Sequence, residues 1–130
     1  MPEIKLIDLR GGSARIALSV HALPEDDFQR QQMAYDPNTT PAQFRALISD
    51  RVFSVRYAVA TSAWTPPFAL TLMVVDAHPF VRAGVAHNPR TPDYALKVLI
   101  KDGDPNVREV AQIAWADRRQ AQANGPEWSV

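Results

Sequence analysis

The chain contains no cysteine. That excludes disulfides, thiol catalysis, cysteine-ligated zinc and cysteine-ligated iron–sulfur clusters. Nor is either sign of charge in excess: Lys+Arg and Asp+Glu number 14 each. A dedicated nucleic-acid binder usually carries a basic surplus, so the balance weighs against one and leaves room only for a local basic patch. No uninterrupted apolar run approaches the ~20 residues that span a bilayer. Met1-Pro2-Glu3-Ile4-Lys5 lacks the basic-then-apolar pattern of a secretory signal. The expectation is a cytoplasmic location with no membrane attachment. Phosphate loops and Gly-x-Ser-x-Gly are absent too. Ser13, Ser19, Ser49, Ser54 and Ser62 have no base that spacing would bring close. No catalytic residue, cofactor or metal ligand is therefore assigned. The 130 residues suit a single domain with a core of its own.

What the chain has is proline, 11 in all, and a period. Shifted by 26 residues, its middle aligns with itself without a gap. Thr39, Thr65 and Thr91 coincide, as do Asp50, Asp76 and Asp102, and Arg56, Arg82 and Arg108. Apolar lanes follow: Phe44, Leu70, Leu96; Leu47, Met73, Leu99; Ile48, Val74, Ile100; Val59, Val85, Ala111. A fixed period of this size marks a stacked array, in which each unit needs its neighbours to bury its apolar face.

Each unit reads as two short helices. Thr65-Pro66 and Thr91-Pro92 look like an N-cap hydroxyl followed by proline at the first helical position, where the missing N–H costs nothing. Thr39-Thr40-Pro41 is the same start with the proline one residue later. The aspartate lane closes the first helix. Asp104-Pro105, and more weakly His78-Pro79, start the second. Its buried face is Val55, Ala58, Val59 in one unit and Val81, Gly84, Val85 in the next; the small residues suggest close helix approach, although Val110 breaks that lane. The fold class expected is all-α: an α-solenoid of short helix pairs, with three repeats over residues 35–116. Residues 117–130 are the end of a lengthened capping helix and a tail. Residues 13–34 read by register as a degenerate N-terminal capping unit. Ile16, Leu18 and Val20 after Gly11-Gly12 keep a β-hairpin open for the beginning of the chain. An imperfect cap there would invite dimerisation through that end.

The run His87-Asn88-Pro89-Arg90-Thr91-Pro92, with Leu96, Leu99, Asp102, Pro105, Val107-Arg108 and Val110-Ala111, resembles the leucine-rich repeat variant family. Asp36-Pro37-Asn38-Thr39-Thr40-Pro41 through Phe44, Leu47, Asp50, Val55-Arg56 and Val59-Ala60 matches almost as well, and the unit containing Trp64-Thr65-Pro66 is the loosest. The Asp…Val-Arg element is also similar to HEAT-type repeats. The resemblance covers about residues 36–116. It implies a right-handed superhelix of paired short helices, whose first layer can be 3₁₀. The cysteine-bound iron–sulfur cluster of some members has no counterpart here.

Four residues are candidates for binding: Trp64, Arg45, Lys97 and Arg82. Trp64 stands where other units have Asn38 and Arg90, as a binding anchor or as packing against Pro37 or Pro89. Arg45, Thr71 and Lys97 share a lane beside the apolar face of the first helix. The lane of Arg56, Arg82 and Arg108 is either an anion-binding stripe or a structural ladder. In the ladder each arginine pairs with Asp50, Asp76 or Asp102 of its own or a neighbouring unit. Equal spacing favours the ladder. Glu25-Asp26-Asp27 form an acidic cluster near the other end. His21, His78 and His87 fall in different repeat positions and form no metal pair. The function expected is a non-catalytic scaffold for an unidentified protein partner. The alternatives are a nucleic-acid-associated repeat protein using the arginine lanes, or a regulatory subunit of an enzyme.

Overall fold

The computed structural model describes residues 22–125. The reading of residues 13–21 as the start of a capping unit, its hairpin alternative, and the tail from residue 126 lie outside them. The described residues form seven α-helices and no strand. They are α1 (Asp27–Met33), α2 (Pro41–Leu47), α3 (Phe53–Thr61), α4 (Pro67–Leu72), α5 (Pro79–His87), α6 (Asp93–Ile100) and α7 (Pro105–Ala123). A single 3₁₀ turn, Met73–Val75, continues α4. The first helices α2, α4 and α6 are thus α-helical, and the 3₁₀ character implied by the resemblance is confined to that turn. Helices α1, α3, α5 and α7 begin at residues 27, 53, 79 and 105, a spacing of 26; α2, α4 and α6 begin at 41, 67 and 93, the same spacing.

Contacts follow this order. Helix α1 packs on α3, α3 on α5, and α5 on α7, while α6 lies against α5 and α7. Between the two sets of helices lies one core. Phe44, Leu70 and Leu96 are buried in it, with Leu47, Met73 and Leu99, Val55, Val81 and Val107, and Val59, Val85 and Ala111. A further lane, Ala34, Ala60 and Ala86, not among those grouped from the sequence, is fully buried. Small side chains there let successive helices approach. At Gly84 an added Cβ would sit 3.1 Å from the Ala60 Cβ and 3.2 Å from the Thr61 Cγ2. Glycine is the fit for that crossing, where α5 meets α3.

The threonine lane corrects the expected caps. Thr65 and Thr91 do not cap the helices that follow them; Pro66 and Pro92 occupy those cap positions, without a side-chain hydrogen bond. Each hydroxyl instead reaches backward six residues. Thr39 donates to the Met33 carbonyl, Thr65 to Val59 and Thr91 to Val85, all at 2.6 Å. The last carbonyls of a helix lack intrahelical donors. A threonine one residue before the cap fills one of them and ties the end of one helix to the start of the next. In the first unit the capping duty falls to Thr40. Its hydroxyl accepts from the Gln43 N–H at 3.1 Å, and the Gln43 side chain accepts from the Thr40 N–H at 2.9 Å. Asp26, His78 and Asp104 cap α1, α5 and α7 through their side chains, so one member of the acidic cluster has a structural task.

Candidate functional site

The arginine lane meets the aspartate lane one unit further on. Arg56 donates through Nε to Asp76 at 2.8 Å and through Nη2 at 3.3 Å; Arg82 does the same to Asp102 at 2.8 and 3.0 Å. The sequence reading left Arg30 out of the ladder, though its register with Arg56 was visible. It opens the series, reaching Asp50 at 2.6 and 3.3 Å. The third guanidinium nitrogen points home. Nη1 of Arg56 donates to the Asp50 carbonyl at 2.8 Å, and Nη1 of Arg82 to the Asp76 carbonyl at 2.7 Å. Each arginine therefore straps the turn of its own unit to the turn of the next.

The aspartates are equally occupied. Oδ1 of Asp50, Asp76 and Asp102 accepts the backbone N–H two residues on, from Val52, His78 and Asp104, each at 2.9 Å. These bonds shape the turn between first and second helix. The carboxylate side chains are only 6–8% exposed. A buried charge is tolerated when its partner and further hydrogen bonds replace water, as here. The hydrogen bond from Arg82 holds the Asp102 carboxyl below the usual range against the opposing effect of burial, helped by the Asp104 N–H. In return Asp102 pushes Arg82 above its ordinary value, and Asp50 does so for Arg30.

A second set of polar contacts runs along the opposite turns. Asp36, Ser62 and Asn88 each accept the N–H two residues on, at 2.9, 3.0 and 2.9 Å. Buried Asn88 also donates to the carbonyls of Ala60 and Ser62, both at 2.9 Å. At the C-terminal end Arg118 of α7 takes over this duty. It donates to the Asn88 carbonyl at 3.3 Å and pairs with Asp93 at 2.7 Å.

Of the four binding candidates, three are engaged. Arg82 belongs to the ladder. The Arg45 guanidinium lies over the Phe68 ring, 5.5 Å from its centre, and the Lys97 ammonium over Trp115 at 5.1 Å. Trp64 remains half exposed at the turn before α4. The outer face of α3, α5 and α7 carries what the sequence reading missed. Phe53 stacks on His78 with ring centres 4.0 Å apart, Phe80 flanks the histidine at 5.3 Å, and Tyr57 lies next to Phe53. A groove lined by Tyr57, Phe80, Gly84, His87 and Val110 continues into another at Val110, Ile113 and Ala114. The signal was present as aromatic residues at the solvent positions of the second helices, but their positions do not repeat.

Among the described residues no group of three His, Asp or Glu side chains could hold a metal ion, and no helix is long and apolar enough to cross a membrane. No family model, curated protein or solved structure matches this chain.

Proposed function

We propose that the chain is a right-handed α-solenoid of 26-residue helix pairs, of the leucine-rich repeat variant kind with a HEAT-like Asp…Arg element. In this reading it is a non-catalytic scaffold that binds a protein partner. Three observations support the architecture: the common spacing of helix starts, the serial packing of α1, α3, α5 and α7, and polar contacts that recur from turn to turn. The function rests on one observation. Three of the four guanidinium groups of the ladder are spent on internal carboxylates, so the lane does not offer phosphates a continuous stripe. The large apolar side chains exposed on the outer helices include Phe53, Tyr57, Phe80 and Ile113, with Trp64 at a turn. Exposed aromatic groups at the centre of a patch are the usual anchors of protein interfaces.

The test is affinity capture with quantitative mass spectrometry, using the chain, Trp64→Ala and Phe80→Ser, after matching their melting curves. A protein retained by the parent and lost with either variant is the expected result. Equal retention by all three removes these residues from the interface. Binding to random DNA or RNA is measured alongside. Affinity at low salt that falls steeply as salt rises would replace the protein-scaffold reading with the phosphate-binding one.

A further inference from the structure

We infer that the C-terminal end of the ladder is a receptor for a carboxylate side chain supplied by another protein, gripped by Arg108. The inference rests on the scaffold reading and names the chemistry of its partner. Arg108 leaves α7 as Arg56 leaves α3 and Arg82 leaves α5. Its Nη1 donates to the Asp102 carbonyl at 2.8 Å, the anchor that holds the other two arginines, and to the Gly103 carbonyl at 3.2 Å. In the three earlier copies, the Nε and Nη2 edge of the anchored arginine receives both oxygens of one aspartate. Among the described residues no carboxylate meets that edge of Arg108. The lane's next position is Trp128, and α7 runs on as one helix to Ala123, whereas α3 and α5 end after nine residues.

Among the described residues, α7 closes one side of this end. Arg118 and Trp115 of α7 secure the Asn88 turn and Lys97. Arg108 keeps the Nη1 anchor of Arg56 and Arg82, and among the described residues its Nε and Nη2 donors have no carboxylate. Arginine presents such paired donors to planar carboxylates with high geometric selectivity. A second copy of this chain stacked in register does not complete the site, because the position preceding Asp50 in its lane is Pro24. The occupant that fits is an acidic residue in a turn of a different protein.

The experiment follows the arginine Nε–Hε resonances of the full chain by NMR while hexa-aspartate peptide is added. The expected result is a saturable shift at Arg108 with Arg56 and Arg82 unmoved, since theirs are already bonded. Arg108→Lys keeps the charge but not the fork, and weakens the peptide by about tenfold; Arg119→Lys does not. Equal responses at Arg108 and Arg119, or inorganic phosphate binding Arg108 as well as the peptide does, would overturn the inference. So would a many-fold gain in affinity in Glu127→Gln, which would assign the site to the chain's own tail. The parent spectrum carries the test even if a variant misfolds. A silent Arg108 alongside successful capture through Trp64 or Phe80 removes the inference and leaves the scaffold reading standing.

Discussion

Arg82 and Arg108 occupy the same place in the 26-residue spacing, and each bonds the carbonyl of the aspartate six residues before it. Beyond that contact they part. Arg82 goes on to a buried carboxylate of the next unit, and among the described residues Arg108 meets none. The interior of the molecule and its C-terminal end thus use one side chain in two ways. Where a following unit exists, the arginine is part of the scaffold. Where the sequence ends the period, the same half-buried side chain keeps its backbone anchor and, among the described residues, has no carboxylate partner. The periodic residue alone does not tell the two apart; the presence of its partner one unit further on does.

The strongest way to break the interior is to orphan a guanidinium. Asp76→Ala removes two hydrogen bonds from Arg56 and the acceptor of the His78 N–H. Loss of one partner from a buried pair costs about 3–5 kcal/mol, and urea denaturation measures it. Acid probes the same contacts without mutation. The folded-state value of Asp102 lies below its ordinary 3.8. Its ionised form therefore stabilises the fold above that ordinary value, and the contribution drains away as pH falls through the lower folded value. Arg82→Ala flattens this acid limb if the pairing is its cause; an unchanged limb assigns it elsewhere.

A smaller effect is expected where one helix end is tied to the next helix. Thr65→Val deletes a buried 2.6 Å hydrogen bond while keeping the shape. The expected loss is about 1 kcal/mol. Gly84 and Gly103 give the smallest and most divided outcome. An alanine at Gly84 meets Ala60 and Thr61, so strain outweighs the gain in helix propensity and stability falls by about 1 kcal/mol. Gly103 has open space around its would-be Cβ and no positive φ. Gly103→Ala raises stability by about 0.5 kcal/mol through the unfolded chain. Equal signs at the two positions would show that close approach is not what keeps Gly84.

Core lanes were legible in the sequence because apolar side chains at a repeated position face the same neighbours, and the starts of α4 and α6 were legible only to within one residue. Phe44, Leu70 and Leu96 needed no structure to be grouped. Thr65 and Thr91 were misread for a local reason: threonine before proline is a common cap signal, and only the path of the chain brings their hydroxyls to a carbonyl six residues earlier. The aspartate and arginine lanes were visible, but not the offset of one unit that joins them or the entry of Arg30. Asn88 belongs to a sequence motif that carries no sign that its amide holds two carbonyls of the preceding unit. The aromatic surface of Phe53, Tyr57, His78 and Phe80 was hidden because its members do not share a lane.

One periodic arginine is paired with a carboxylate inside the molecule and, among the described residues, bonds only backbone carbonyls at the end of the ladder. The direct measurement compares equilibrium unfolding of Arg82→Ala and Arg108→Ala in urea. The expected loss is about 3–5 kcal/mol for Arg82 and about 1 kcal/mol for Arg108, which gives up only its bonds to backbone carbonyls. Equal losses at the two positions, or an unchanged midpoint for Arg82→Ala, would contradict it.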